Sequence, residues 1–84
     1  MSQQSEDLKG LVECIVEPLV DHKEDLDVVS SVEDDGTVYV EISVNEEDAG
    51  KVIGRQGRVI KSIRTLARAA ASRMDAHVEV EILD

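Results

Sequence analysis

Helical periodicity runs from Asn45 to Met74, and a four-residue stretch, Gly54-Arg55-Gln56-Gly57, cuts it in two. Upstream, Asn45 is a helix cap followed by Glu46, Glu47 and Asp48, acids that suit the positive end of a short helix stopping at Gly54. Downstream, from about Gly57, Ile60, Ile63, Ala67, Ala70 and Met74 recur three or four apart, with Leu66 beside them, and predict a longer helix. Arg58, Lys61, Thr65 and Arg68 fall on its other face. Two helices joined by two glycines three residues apart make an uncommon joint. Both glycines can take φ > 0, and without a Cβ they let another molecule's backbone come close. The second helix starts at once, so its free N–H groups and positive dipole end point at whatever sits there. Arg55, Arg58 and Lys51 add full charges around the same spot, and the set reads as a phosphate cradle. A tight helix–turn–helix used only for packing is the alternative reading of the spacing.

The rest of the chain supplies a helix and three strands. Leu8, Leu11, Val12, Ile15 and Leu19 form one apolar stripe, flanked by Cys14 and Val16, with Ser5 as the expected N-cap. Pro18 ends or kinks that helix near Glu17, and Asp21 to Asp25 is a loop. Val38, Val40, Ile42 and Val44 alternate with Thr37, Tyr39, Glu41 and Ser43, the period of a strand with one buried face. Asp34-Asp35-Gly36 precedes it, a hairpin turn that pairs it antiparallel with Asp27 to Glu33. Ala76 to Leu83 alternates again, with Val78, Val80 and Ile82 inward and His77, Glu79 and Glu81 outward. Glu79 is therefore expected to lie away from any ligand. The order is helix, strand, strand, helix, helix, strand, an α+β chain with a three-stranded sheet covered on one face by three helices.

Eighty-four residues make one domain, read over residues 1–84 with about residues 1–5 as a short flexible tail. With no Phe or Trp and a single Tyr, its core is aliphatic and too thin to wall a deep catalytic cavity. The polar, acidic start is unlike a signal peptide, no apolar run is long enough to cross a membrane, and the lone Cys14 forms no internal disulfide. These features predict a reduced, cytoplasmic setting, with Cys14 as a buried thiol. Neither His22 nor His77 has partners at ligand spacing, so no metal or other cofactor is expected.

The formal charge is −10, which by itself repels nucleic acid. The distribution changes that reading. From Lys51 to Arg73 there are seven bases (Lys51, Arg55, Arg58, Lys61, Arg64, Arg68, Arg73) and no acid, while the rest of the chain carries −17. Such a window points to an anion, against the alternative of a solvated helix face balancing acidic neighbours.

Val52-Ile53-Gly54-Arg55-Gln56-Gly57-Arg58-Val59-Ile60 resembles the V-I-G-x-x-G-x-x-I core of KH domains, and the element order is that of their type II arrangement. In length, in Gly50-Lys51 before the core, and in the run Leu11 to His22, the chain is similar to the small bacterial KhpA-type proteins. The resemblance implies non-enzymatic binding of single-stranded RNA, with a GXXG loop clamping the backbone of a few nucleotides. It assigns Gly54 and Gly57 to backbone access, Arg55 and Gln56 to phosphate and sugar oxygens, and Lys51, Arg58 and Lys61 to the flanks. Ile53 and Ile60 would wall the groove for bases, with Val44 more a core residue. The resemblance also implies an RNA chaperone or post-transcriptional regulator, linked in some bacteria to cell shape. Its expected partners are a second copy of the chain or a larger KhpB-type KH protein. A KH-fold interaction module with negligible RNA binding is the alternative. A phosphate-handling enzyme is excluded by the absence of a G-x-x-x-x-G-K-[ST] pattern and of a base placed beside a nucleophile.

Overall fold

The computed structural model describes residues 2–83. Helix α1 covers Gln3–Val16 and passes into two short 3-10 turns, Glu17–Leu19 and Lys23–Asp25. Strands β1 (Asp27–Val32) and β2 (Val38–Ser43) follow, then α2 (Glu46–Ile53), a 3-10 turn at Arg55–Gly57, α3 (Arg58–Arg73) and β3 (Val78–Leu83). The sheet order is β1-β2-β3. As the Asp-Gly turn predicts, β1 and β2 are antiparallel, with Ser30 opposite Val40. β3 lies parallel to β2 on its other side, with Val80 beside Val40. A parallel neighbour needs a crossover, and the α2–α3 pair provides it. This topology brings the start of α3 and the edge strand β3 to the same side of the molecule.

Alternation along the strands becomes the core. Val38, Val40, Ile42, Val78 and Val80 are buried against Leu8, Val12 and Val16 of α1, Val52 of α2, and Ile60, Ile63, Ala67 and Ala71 of α3. Ile82, near the end of β3, is half-buried. The helices therefore cover one face of the sheet, as the α+β reading requires.

Four details differ from expectation. Ser2, not Ser5, caps α1: its hydroxyl accepts the Ser5 N–H at 3.1 Å. Gln3 to Ser5 are thus helical rather than tail, and Ser5 is buried with its hydroxyl donating to the Ser2 carbonyl. The inward row of α1 is Leu8, Val12 and Val16, which leaves Leu11, Ile15 and Leu19 half-buried and turns Cys14 out to solvent. Leu66, expected beside the apolar face of α3, is 53% exposed. No helix of the described residues is long and apolar enough to cross a membrane.

Candidate nucleic-acid interface

The loop between α2 and α3 is shaped by three residues in left-handed backbone regions. Gly54 (φ 78°, ψ 171°) closes α2 by donating its N–H to the Gly50 carbonyl at 2.8 Å. Gln56 (φ 56°, ψ 26°) and Gly57 (φ 73°, ψ 17°) then turn the chain into α3. The two glycines do different work. A Cβ at Gly54 would sit 2.8 Å from both the Cβ and the backbone nitrogen of Val59, so this position holds the loop against the first turn of α3. A Cβ at Gly57 would meet nothing closer than 3.8 Å. Gly57 is also the N-cap of α3 and offers no side chain to its first N–H groups. The Arg58 N–H donates to the Arg55 carbonyl, and the positive end of the α3 dipole lies at the loop.

The seven bases divide into two groups. Arg55, Arg58 and Lys61 are exposed and have no carboxylate within ion-pair distance among the described residues; Arg58 instead donates to the Gln56 amide oxygen at 3.3 Å. Arg73, likewise without a carboxylate partner there, lies at the far end of α3. Lys51, Arg64 and Arg68 are committed. Lys51 pairs with Asp21 and, at 3.3 Å, with Asp48. Arg64 donates Nε–H to the Val80 carbonyl at 2.9 Å and lies 3.6 Å from Glu81. Arg68 lies 3.4 Å from Glu79. Lys61, Arg64, Thr65 and Arg68 of α3 and Glu79 and Glu81 of β3 together line an open trough of about 550 Å³ that continues from the loop along the edge of β3.

The apolar residues expected to wall a base groove are placed unevenly. Ile60 is 6% exposed and belongs to the core, packed beneath the loop rather than beside it. Ile53 and Val44 are half-buried and pack against the core. The trough is lined instead by polar and charged side chains, among them Arg64, Arg68, Glu79 and Glu81. Of these, Arg68 was visible in the sequence on the Arg58–Lys61 face at helical spacing, but which strand would lie beside that face was not.

Sequence reading also missed Asp48. It looks like one more acid in the first turn of α2, yet it is completely buried. Its carboxylate accepts the backbone N–H groups of Asp21 (3.1 Å) and His22 (2.9 Å), lies 3.2 Å from His22 Nδ1, and receives Lys51. The His22 N–H, against the opposing cost of burial, holds the Asp48 carboxyl well below the usual carboxylate range. In return the bond to Asp48 raises the His22 pKa above 6.5. This clamp fastens the α1–β1 connection to α2 and so fixes the ledge from which the Gly54 loop projects. It also spends the charge of Lys51 on structure.

The family described as KhpA/KhpB, KH domain, matches residues 9–82. The chain belongs to this family. Its KhpA relatives cover nearly its full length. A protein of Listeria monocytogenes named RNA-binding protein KhpA is 44% identical over 92% of this chain and 100% of its own. Proteins of the same name from Clostridium perfringens (46% identical, 90% and 100% covered) and Bacillus subtilis (44%, 92% and 94%) are similar to it as well. Membership in the KhpA/KhpB family agrees with the observed element order and with the sheet described above.

Proposed function

We propose that this chain binds single-stranded RNA, with the Gly54–Gly57 loop gripping the sugar-phosphate backbone and Arg55, Gln56, Arg58 and Lys61 contacting its oxygens. The observation that carries the reading is the local excess of positive charge. In a protein of net charge −10, three exposed cations without carboxylate partners among the described residues surround a helix N-terminus that has no side-chain cap. RNA binding named for relatives at 44–46% identity supports it. Lys51 contributes background field rather than a contact, because Asp21 and Asp48 already hold it. Ile53, at the end of α2, is the apolar residue of the loop that remains partly open to a base.

The proposal extends to a cytoplasmic role as an RNA chaperone or post-transcriptional regulator that works with a second copy or a larger KhpB-type protein. A single site of this size holds few nucleotides, so a partner would supply affinity by linkage. The exposed apolar side chains are spread over both edge strands, Val29 and Val32 on β1 and Leu83 on β3, and over α3 at Leu66.

The test is the double substitution Arg55→Asp with Gln56→Asp. Both side chains are exposed and neither is packed, so circular dichroism stays at wild type. Each lost charge-assisted contact costs about 1.5–3 kcal/mol, and repulsion adds to that, so affinity for a short single-stranded RNA falls at least ~100-fold. A folded variant that binds as wild type does would replace this reading with a KH-fold interaction module.

A further inference from the structure

Arg64 and Arg68 continue the line of Lys61 along α3 and line the same trough, yet neither presents a free positive charge to it. Glu79 and Glu81, two residues apart on β3 and hence on one side of the strand, take them up at 3.4 Å and 3.6 Å. Leaving the loop, a ligand therefore passes from cations without a carboxylate partner among the described residues to a stretch where each cation is matched by a carboxylate. A phosphate entering that stretch meets a carboxylate beside each arginine, and it must either displace that group or share the arginine with it and lie beside its negative charge. A nucleobase edge does better. The amino groups of adenine, cytosine and guanine donate to a carboxylate while ring nitrogens and carbonyls accept from an arginine. Those edges are offered only by unpaired, splayed-out bases.

Resting on the RNA-binding reading of the loop, we infer that Glu79 and Glu81 are specificity-determining residues. They bar backbone-only polyanions from the trough and admit strands whose bases are free to donate to them. The loop supplies attraction to any phosphate, and the β3 carboxylates decide which polyanion profits from it. The outward glutamates of the last strand thus belong to the binding surface, contrary to the expectation that Glu79 lies away from it.

The experiment compares wild type, Glu79→Gln with Glu81→Gln, and Glu41→Gln on three probes: single-stranded oligocytidine RNA, duplex RNA and inorganic polyphosphate. Glu41 lies beside Glu81 on the neighbouring strand and makes no ion pair among the described residues, so its substitution removes a charge without releasing an arginine. Freeing two exposed ion pairs raises duplex and polyphosphate affinity about three- to tenfold, and single-stranded affinity less, so discrimination between them narrows. Glutamine is nearly isosteric at these solvent-facing positions, and thermal melts verify that the variants are folded. Equal gains on all three probes, no gain, or a gain matched by Glu41→Gln would overturn the inference while leaving the loop reading intact. A wild type that binds no RNA overturns the loop reading, and this inference with it.

Discussion

Replacing Gly54 and Gly57 by alanine, one at a time, separates the structural half of the loop from its binding half. At Gly54 the backbone lies at φ 78°, ψ 171°, a region that is essentially glycine's alone and costs other residues about 1–3 kcal/mol. The added methyl would also sit 2.8 Å from the Val59 Cβ and nitrogen, atoms that move only with the α3 backbone. Overpacking of that kind costs about 1–3 kcal/mol more. The sum, about 2–6 kcal/mol, falls on a domain whose total stability is on the order of 4–13 kcal/mol by its length. At Gly57 the methyl meets ordinary contact at 3.8 Å, which leaves only the left-handed φ, about 1–2 kcal/mol. Urea and thermal unfolding followed by circular dichroism read both. Gly54→Ala loses a large share of stability, with a Tm fall of at least about 10 °C, whereas Gly57→Ala stays folded and melts ~4–8 °C lower per kcal/mol lost. Gly57→Ala also weakens RNA binding, since the methyl projects into the open side of the loop. A Gly54→Ala protein within about 1 kcal/mol of wild type, or a Gly57→Ala protein equally destabilised, would refute this division.

The Asp48–His22 clamp makes stability depend on pH at both ends. The His22 pKa is raised in the fold, so its contribution is complete below 6.5 and is lost as pH rises through the raised value; Asp48 is depressed, so its contribution holds above 3.8 and is lost as pH falls below it. Between about pH 5.5 and pH 8.5 wild type should lose more stability than His22→Gln, and equal losses would mean that the histidine bond carries no linkage. Cys14, exposed on α1, reacts with a thiol reagent without unfolding, and Cys14→Ser changes stability by less than ~0.5 kcal/mol; a slow reaction gated by unfolding would contradict its placement.

Local signals made the fold legible. Strict alternation in Val38–Ile42 and Val78–Ile82, the Asp-Gly turn, and the Asn45 cap, which accepts the Glu47 N–H at 2.9 Å, each act within a few residues and survived folding. Ser2 and Ser5 lie three apart and both suit a cap; tertiary burial of Ser5 decided between them. On α1 two adjacent apolar rows, Leu8-Val12-Val16 and Leu11-Ile15-Leu19, leave the phase of the helix open until the sheet selects the first, and Cys14 turns outward with that choice. The loop's glycines and cations were readable because they are contiguous. Asp48 was not, since its partners at Asp21 and His22 are 27 and 26 residues away in the chain. Nor were the pairs of Arg64 and Arg68, which exist only because the crossover lays α3 beside β3.

The central claim is that RNA meets this protein at the Gly54–Gly57 loop, and a titration of the 15N-labelled chain with a short single-stranded RNA, followed by backbone amide NMR, tests it residue by residue. The account predicts that the largest shifts cluster from Gly54 to Arg68, extend to Glu79–Glu81 on β3, and fade at high salt as phosphate contacts are screened. Shifts centred on α1 or β1, with the amides of Gly54 to Ile60 unmoved, would contradict it.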